Sequence, residues 1–315
     1  MRVIGAAEVE RALDYRSLVE ALRNAFRSGV AAPPRHHHTI ARGGAPEATL
    51  LLMPAWSDDP AGPRDLGVKL VTVYPDNPAK GLPTVMGVYL LLDGRTGEPA
   101  ALIDGPSLTA RRTAAASALA ARYLARPDAE RLLMIGTGTL APYLIEAHAS
   151  VRPICNVLIW GRDPAKAAKL AAKLDRPDFR VAATDDLAAA AAGAHVISCA
   201  TSSREALLQG AWLQPGVHVD LVGAYRPDMR EADDAVLAMA RVFVDTRAGA
   251  LHEAGDVVQA IAAGVLHEDD IAGDLFDLCR GARDGRRFYD QITLFKSVGA
   301  SLEDLAAARL ASLRV

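Results

Sequence analysis

A glycine-rich motif in the middle of the chain has the residue types and spacing of a phosphate-binding turn. The pattern Gly-x-Gly-x-x-Ala directly follows an apolar run at residues 132–135, which is typical of a short buried strand. The first glycine permits a tight turn, the second lets the backbone approach a pyrophosphate, and the small alanine lets helix and strand pack closely. Backbone N–H groups at the start of the helix would hold the phosphates. The cofactor-binding residues predicted here are Gly136, Thr137, Gly138, Thr139, Leu140 and Ala141.

The end of the next predicted strand, residues 157–160, bears on the choice of cofactor. In a Rossmann fold an acidic residue at this place binds the ribose 2′-OH of NAD, whereas an arginine accommodates the 2′-phosphate of NADP. Gly161 and Arg162 follow the strand, and Asp163 with the proline after it is typical of a helix N-cap. The alternative is that Arg162 is only a loop cation and Asp163 contacts the ribose. We expect NADPH, with NADH possible, and assign Gly161 and Arg162 to the cofactor site.

Two cations lie among apolar residues earlier in the chain. Lys69 is flanked by apolar residues in a strand-like segment, and Arg112 precedes a run rich in alanine. Isolated lysines and arginines usually extend towards solvent, but a buried charge needs a partner, so the solvent-exposed interpretation fits Lys69 poorly.

Three adjacent histidines at residues 36–38 could suggest a metal site, but their positions do not favour one. Neighbouring strand side chains point to opposite faces, and no acidic or cysteine partner stands at ligand spacing.

Composition limits the class of protein. The chain has 315 residues, of which 50% are hydrophobic and 23% charged, so it can bury a large core as one large domain or two ordinary ones. A net charge of −3 gives no sign of a nucleic-acid partner. Three scattered cysteines indicate neither a disulfide framework nor a zinc site. No segment resembles a signal peptide or a membrane span, so we expect no membrane partner and a cytoplasmic location.

The pattern of elements changes along the chain. A helix is predicted over residues 8–29, and a buried helix over residues 113–124. Between them the sequence predicts a mostly antiparallel sheet, with strands at residues 49–53, 66–74, 84–92 and 99–103. From residue 132 strands and helices alternate, which indicates a doubly wound parallel sheet. A last helix is predicted over residues 302–313. The fold class is therefore α/β, with a Rossmann sheet and a second α+β domain.

Several short motifs together resemble the ornithine cyclodeaminase/mu-crystallin family, and the resemblance covers nearly the whole chain. They are Met53-Pro54-Ala55, Lys69-Leu70-Val71-Thr72, Arg112-Thr113-Ala114-Ala115, Gly136-Thr137-Gly138, Gly255-Asp256-Val257 and Phe295-Lys296-Ser297-Val298-Gly299. The resemblance implies a substrate-binding and dimerisation domain at residues 1–113, completed by residues 293–315. It implies an NAD(P)-binding Rossmann domain at residues 114–292, an active site in the cleft between the domains, and a homodimer.

The same resemblance implies roles for individual residues. Arg35, Lys69 and Arg112 would grip the carboxylate of a small cyclic imino acid or amino acid, with Thr84 near the same pocket, and Lys69 and Arg112 would be catalytic. A guanidinium pairs with a carboxylate in fixed, often bidentate geometry, and a lysine adds a point charge. Outside the glycine motif and the end of the second strand, the cofactor site would include Thr201, Val222, Gly223, Ala224 and Ser297.

The segment at residues 222–231 departs from one branch of that family. Ornithine cyclodeaminases have an aspartate and then a lysine where this chain has Tyr225 and Met229, and the aspartate is their partner for the diamino acid. The Gly-Ala-x-Arg-Pro-Asp-x-Arg-Glu form is similar to that of mu-crystallin and the reductases of cyclic ketimines. We interpret Asp228 and Glu231 as acids that begin a helix, where negative charge is favoured.

The function implied by the resemblance is NAD(P)H-dependent reduction of Δ1-pyrroline-2-carboxylate or Δ1-piperideine-2-carboxylate to proline or pipecolate. Ornithine cyclodeaminase and alanine dehydrogenase activities are enzymatic alternatives. A non-catalytic role, in which a small carboxylate binds without turnover, belongs to a different class. Cofactor oxidation with a cyclic imine, with pyruvate plus ammonia, or with neither distinguishes reduction, amination and binding alone.

Overall fold

Strands of alternating apolar residues dominate the first part of the chain, and strands buried along nearly their whole length dominate the middle. The computed structural model describes residues 1–58 and 64–315. These residues form two compact units, one of residues 1–113 with 300–315 and the other of residues 114–299. The two-domain α/β fold with a parallel Rossmann sheet is confirmed.

The strands in the described residues are β1 (Arg2–Ile4), β2 (Val30–Ala31), β3 (His36–Ile40), β4 (Ala48–Ser57), β5 (Asp65–Val73), β6 (Val85–Asp93), β7 (Pro99–Asp104), β8 (Arg131–Ile135), β9 (Asn156–Trp160), β10 (Arg180–Ala183), β11 (Val196–Cys199), β12 (His218–Leu221), β13 (Arg241–Val244), β14 (Gly273–Asp274) and β15 (Thr293–Lys296). The α-helices are α1 (Ala6–Ala12), α2 (Tyr15–Arg27), α3 (Gly105–Leu124), α4 (Leu140–Val151), α5 (Pro164–Leu174), α6 (Leu187–Gly193), α7 (Asp234–Met239), α8 (Arg247–Glu253), α9 (Gly255–Ala262), α10 (Leu275–Arg280) and α11 (Ser301–Arg314).

The sheet of the first unit has the order β1-β7-β6-β5-β4-β2, with β3 also paired to β4. Only the β1–β7 pair is parallel; the other pairs described are antiparallel. Cross-strand pairing aligns Met53, Lys69 and Tyr89, and all three side chains are buried. Their strand neighbours point to the opposite face, where Leu70 and Val88 pair and are each 38% exposed. Helix α11 packs on β4, β5 and α2 in this unit.

The single helix expected over residues 8–29 is wrong. Leu13 leaves helical geometry at φ −105° and ψ 67°, and the Asp14 carboxylate accepts a hydrogen bond from the N–H of Ser17, so α2 begins anew at Tyr15. The buried helix expected from residue 113 begins earlier, at Gly105. The carboxylate of Asp104 accepts a hydrogen bond from the N–H of Ser107 there, which satisfies one free donor of the first turn.

The sheet of the second unit has the order β10-β9-β8-β11-β12-β15-β13-β14, and its pairs are parallel. Helices cover its faces, so its central strands are apolar runs. The expected return to the first unit at residue 293 is wrong, because β15 (Thr293–Lys296) hydrogen-bonds to both β12 and β13 in this sheet. No helix in residues 1–58 and 64–315 is long and apolar enough to cross a membrane.

The histidines at residues 36–38 lie exposed in β3. Their pairing with β4 puts His36 and His38 on one face of the strand and His37 on the other. Across the part of the chain that the structure describes, no group of three or more histidine, cysteine or acidic side chains is arranged to hold a metal ion.

Candidate functional site

The turn between β8 and α4 has the geometry that the glycine motif requires. Gly136 has φ +125°, which favours glycine, and its N–H donates to the carbonyl of Trp160 at 2.9 Å. A Cβ at this position would lie 2.6 Å from the carbonyl oxygen of Ala200, so no larger residue fits. A Cβ at Gly138 would meet nothing within 4 Å. One glycine is therefore needed for the turn, while the other leaves open space above the backbone.

A cavity of about 260 Å³ lies beside this turn, entirely within the second unit. It brings together six of the predicted cofactor residues, namely Gly136, Thr137, Gly138, Gly161, Arg162 and Thr201. The cavity is also lined by Trp160, Asp163, Lys166, Ala200, Ser202, Ser203 and Leu207. Backbone donors of a glycine turn, open space at Gly138 and two cations on the wall fit the phosphate groups of a dinucleotide.

The other predicted cofactor residues lie outside the lining of this cavity. Thr139 is the N-cap residue of α4, and Leu140 and Ala141 form its first turn, with Ala141 fully buried. The remaining ones follow the carboxyl ends of strands β12 and β15 and are Val222, Gly223, Ala224 and Ser297. These ends lie at the edge of a parallel sheet where ligands of such folds bind.

Asp163 is the N-cap residue of α5. Its Oδ1 accepts hydrogen bonds from the N–H groups of Ala165 at 3.1 Å and Lys166 at 3.3 Å, and Pro164 occupies the first helical position. Gly161 is buried, and a Cβ there would lie 2.6 Å from Cγ2 of Thr137. The N-cap interpretation of Asp163 is confirmed, and its carboxylate is therefore engaged by its own helix.

Glu231 corrects the interpretation of residues 222–231. It does not begin a helix, since α7 starts at Asp234 with Asp233 as its N-cap. Its side chain is fully buried, and Oε1 accepts hydrogen bonds from the N–H and the hydroxyl of Thr201 at 2.7 and 2.8 Å. Oε2 accepts the N–H of Gly223 at 2.7 Å. A fixed pattern of acids near a helix start could not reveal partners that lie 8 and 30 residues away in sequence.

Asp228 also lies outside any helix. It is exposed, and its carboxylate pairs with Arg226 and Arg204. The interpretation of both acids as residues that begin a helix is therefore wrong, and the two carboxylates differ completely in burial.

Further buried charges surround Glu231. Asp256 Oδ1 accepts the N–H groups of Glu231 and Ala232 at 2.8 and 3.0 Å, and its Oδ2 lies 3.1 Å from Nζ of Lys296. Glu231, Asp256 and Lys296 are each 0% exposed. Burial raises the pKa of Glu231, while the charge of Lys296 opposes that rise. Because both carboxylate oxygens of Glu231 accept N–H groups, the hydrogen-bonding pattern is that of the ionised form.

Asp245, which directly follows β13, also accepts hydrogen bonds from the backbone of a loop. Its Oδ2 accepts the N–H groups of Val298 and Gly299 at 2.8 and 2.6 Å and lies 3.3 Å from the hydroxyl of Ser297, which donates to it. Ser297, a predicted cofactor residue, thus has its hydroxyl turned towards a buried carboxylate. In this unit, buried acids hold the loops that follow the parallel strands.

The first unit contains a buried cluster of four charged side chains. Arg112 donates from Nε to Asp304 Oδ1 at 2.9 Å and from Nη1 to Glu303 Oε2 at 2.7 Å. Lys69 Nζ donates to Asp304 Oδ1 at 2.9 Å and lies 2.8 Å from Oδ2. Lys69 is 2% exposed and Arg112 is 5% exposed. The structure therefore brings the two predicted catalytic cations together and gives both the same carboxylate partner.

Burial and the charges of this cluster shift the pKa values of Lys69, Arg112 and Asp304. Burial lowers the pKa of Lys69 to about 8, and the neighbouring Arg112 and Arg35 add to that effect while Asp304 opposes it. Burial acts against the charge of Arg112 too, but Asp304 and Glu303 outweigh it and raise the pKa of the guanidinium. The pKa of Asp304 is lowered, because the attraction of Arg112 and Lys69 exceeds the effect of burial.

The two remaining predicted substrate residues lie in the same unit. Arg35 is half-buried and close enough to Lys69 for its charge to act on the pKa of the lysine. Thr84 is half-buried directly before β6, and its carbonyl accepts the N–H of Tyr74 at 2.8 Å. Arg35, Lys69 and Arg112 thus form one electrostatic group, whereas no contact of the Thr84 side chain within the described residues joins it to them.

A model of the ornithine cyclodeaminase/mu-crystallin family matches residues 2–314. The chain belongs to the ornithine cyclodeaminase/mu-crystallin family. The resemblance inferred from the short sequence motifs is therefore confirmed.

Individual known proteins are similar to this chain along nearly their whole length. A Δ1-pyrroline-2-carboxylate reductase of Paracoccus denitrificans is 40% identical over 297 residues, which cover 94% of this chain and 91% of the relative. The solved structure of Thermococcus litoralis Δ1-pyrroline-2-carboxylate reductase in complex with NADH and L-proline gives a TM-score of 0.92 at 32% identity, covering 100% of this chain and 97% of that one. An archaeal alanine dehydrogenase dimer with bound NAD gives a TM-score of 0.90 at 28% identity, covering 100% and 95%.

Sequence reasoning about this family member missed Glu303 and Asp304. They stand between Leu302 and Leu305 near the start of a helix, and all four side chains are buried. Two adjacent acids within an apolar helical face were the available signal, because a buried acid requires a cationic partner. Together with the apolar flanks of Lys69, these adjacent acids indicate that buried acids and buried cations pair, but they do not show which atoms meet.

Proposed function

We propose that the chain is a reductase of cyclic ketimine carboxylates, which forms proline or pipecolate from Δ1-pyrroline-2-carboxylate or Δ1-piperideine-2-carboxylate. The observation that carries the proposal is the way Arg112 is held. Its hydrogen bonds to Asp304 and Glu303 use Nε and Nη1, so Nη2 takes no part in them. A guanidinium held at both Nε and Nη1 is fixed in its plane and leaves Nη2 to donate in a defined direction, which suits a carboxylate.

The charge balance of the cluster suits a zwitterionic substrate. When ionised, Lys69 and Arg112 offset Glu303 and Asp304, so the four side chains sum to zero formal charge. A protonated ketimine carboxylate also has no net charge, since its iminium nitrogen offsets its carboxylate. An unbalanced charge in a buried site costs free energy, so this neutral buried cluster suits a zwitterion better than a dianion, while the half-buried Arg35 adds a positive charge for the carboxylate.

Within this proposal the chain's own residues orient the substrate. Arg112 and Arg35 hold the carboxylate, Lys69 adds a point charge beside it, and Asp304 fixes the two inner cations relative to each other. A reduced nicotinamide, when bound, supplies the hydride that the C=N carbon accepts. A protonated imine nitrogen makes that carbon the better electrophile, and the acids of the cluster tolerate the positive charge.

The amino acid at position 225 argues against cyclodeaminase activity. Tyr225 is 46% exposed and Met229 is buried, and neither carries the charge that cyclodeaminases have at these places. Alanine dehydrogenase activity remains the second candidate, because the similar archaeal enzyme carries that name and a carboxylate clamp also suits pyruvate. The two candidates differ in where the imine nitrogen comes from: it is part of the ring substrate in one, and ammonia supplies it in the other.

For the cofactor we propose NADPH, held by the glycine turn and by Arg162. Arg162 lies on the wall of the cavity after Gly161, and Asp163 is engaged by α5. Lys166 lines the same cavity and adds a second positive charge. A phosphate on the ribose would therefore meet cations, with no free carboxylate directly after the second strand.

We also propose that the chain forms a homodimer through the exposed apolar face of the first sheet. Leu70 and Val88 are paired on that face, and Met86 is exposed beside them. Apolar side chains concentrated on one sheet face favour burial against another surface. The similar archaeal alanine dehydrogenase is a dimer.

The test of the proposed function is a turnover assay with the purified protein. Oxidation of NADPH and of NADH is measured with each of the two cyclic imines, and separately with pyruvate plus ammonia. Release of ammonia from L-ornithine is measured in parallel. We expect turnover only with the cyclic imines. Turnover with pyruvate plus ammonia alone would establish the second candidate, and binding of proline without any turnover would establish a non-catalytic role.

A further inference from the structure

Two loops at the carboxyl end of the Rossmann sheet share one buried carboxylate. One loop follows β11 and contains Thr201, and the other follows β12 and contains Gly223. Glu231 accepts the N–H and hydroxyl of Thr201 through Oε1, and the N–H of Gly223 through Oε2, with distances of 2.7 to 2.8 Å. Both oxygens of one side chain therefore join neighbouring loops.

The two loops lie in direct contact at this point. A Cβ on Gly223 would lie 2.1 Å from the carbonyl oxygen of Thr201 and 2.3 Å from Oε1 of Glu231. No side chain fits there, and Glu231 accepts hydrogen bonds from both loops at this close approach. The backbone of Glu231 is itself held, because its N–H donates to Asp256 at 2.8 Å.

The loop with Thr201 also forms part of the wall of the dinucleotide cavity. Thr201 and Ala200 line it, and a Cβ on Gly136 would lie 2.6 Å from the carbonyl oxygen of Ala200. The spacing between this loop and the glycine turn is therefore tight. A shift of Thr201 by even a few tenths of an ångström would change the shape of the cavity, since this loop and the adjoining glycine turn both line it.

We propose that Glu231 is a positioning residue for the dinucleotide: it fixes the Thr201 and Gly223 loops in the arrangement that accepts the cofactor. The inference rests on the proposed function, and it revises the role expected for Thr201. Because the hydroxyl and the N–H of Thr201 are committed to Glu231, Thr201 shapes the cavity wall with its backbone and methyl group.

The substitution Glu231→Gln tests the inference with almost no change in volume. Whichever way the amide is turned, its NH2 group faces the N–H of either Thr201 or Gly223, so one loop loses its acceptor. A donor placed against a buried donor is unfavourable, and we expect the dissociation constants of NADH and NADPH to rise at least about tenfold. Cofactor binding is measured directly, by quenching of protein fluorescence without any imine present.

The substitution Glu231→Asp separates the bridging role from the charge. It keeps the carboxylate near Asp256 and Lys296 but is one methylene shorter, so it cannot reach both loops at once. We expect it to weaken binding of both dinucleotides as well. If only the charge of Glu231 mattered, this variant would bind them as the wild type does, which would overturn the inference.

Two variants serve as matched controls. Asp228→Asn makes the same acid-to-amide change three residues away at an exposed side chain that pairs with Arg226, and it should leave binding unchanged. Asp220→Asn removes a fully buried charge of β12, where the carboxylate accepts a hydrogen bond from Ser198 at 2.7 Å. It should lower the melting temperature as Glu231→Gln does, yet leave the dissociation constants within about twofold of wild type.

The outcomes separate the inference from the function on which it rests. If Glu231→Gln binds both dinucleotides as the wild type does, or if Asp220→Asn weakens binding equally at a matched melting temperature, the inference is wrong while the proposed function stands. A wild-type protein that binds neither dinucleotide would overturn both. Where Glu231→Gln does not fold, Glu231→Asp is compared with Asp220→Asn by the same criterion.

Discussion

Arg112 and Asp304 are 192 positions apart in sequence, yet the guanidinium Nε donates to the carboxylate Oδ1 at 2.9 Å inside the first unit. The same oxygen accepts a hydrogen bond from Lys69. Because one carboxylate fixes two cations, the distance between those cations is set before any substrate arrives. Such preorganisation lowers the entropy that is lost when a small anion is bound.

Replacement of Arg112 by alanine should weaken transition-state binding. We expect a loss on the order of 2–4 kcal/mol in kcat/KM for the cyclic imine, because a charge-assisted hydrogen-bonded pair is removed. Arg112→Lys is the matched variant, which keeps the charge but loses the planar fork and should recover only part of the activity. Near-normal kinetics in a folded Arg112→Ala protein would contradict the assignment.

The pKa of Lys69 predicts how activity depends on pH. Since burial lowers that pKa to about 8 from an ordinary value of 10.5, the lysine loses its proton as the pH rises through about 8. We expect kcat/KM to fall over that range, because neutral Lys69 no longer attracts the carboxylate. The measurement is a pH profile of kcat/KM. Lys69→Arg supplies the control: its side chain stays protonated, so a decline that persists unchanged in this variant belongs to another group.

The Asp304 carboxylate should keep Lys69 protonated to a higher pH than burial alone would allow. The carboxylate opposes the fall in the pKa of Lys69, so Asp304→Asn should move the alkaline limb of the pH profile to lower pH. The arrangement of the two cations should loosen at the same time, which we expect to raise KM for the imine more than KM for the cofactor. An alkaline limb at its wild-type position would show that Asp304 does not act through Lys69.

Arg162 should determine the choice between the two dinucleotides. Arg162→Ala removes an exposed cation from the cavity wall, so we expect kcat/KM with NADPH to fall while the value with NADH is nearly unchanged. Steady-state kinetics with both cofactors provide the measurement. A wild-type preference for NADH, or an equal loss with both cofactors, would refute the proposed role of Arg162.

A charge on the exposed face of the first sheet should disrupt the proposed homodimer. Leu70→Lys places an ammonium among the exposed apolar residues of β5 and β6, and we expect a monomer at micromolar concentration by light scattering. Met239→Lys is the matched control on an exposed apolar residue of the second unit, and it should leave the mass unchanged. A wild-type monomer would exclude the dimer altogether.

Local rules accounted for much of the fold, and long-range pairing accounts for what they missed. The start of α5 follows from Asp163 and Pro164, which act within the first turn of the helix, and it was predicted correctly. The role of Glu231 depends on Thr201, which lies on a different loop and gives no periodic signal. The acids of the first unit are a similar case, because a helix start favours acidic residues for reasons unconnected with a distant lysine. The sequence therefore indicates the cations of the candidate site, while their anionic partners emerge only from tertiary structure.

The place of β15 (Thr293–Lys296) between β12 and β13 has a consequence for biosynthesis. The Rossmann sheet has a gap in its middle until the ribosome has released residue 296, and Lys69 and Arg112 lack Asp304 until a few residues later. Neither unit is complete before these late segments have been synthesised, so the nascent polypeptide exposes open strand edges and apolar surface during most of the synthesis of residues 1–296. A chain truncated before residue 293 would lack both β15 and α11 and leave both units incomplete, so we expect it to be a substrate for chaperones and proteases.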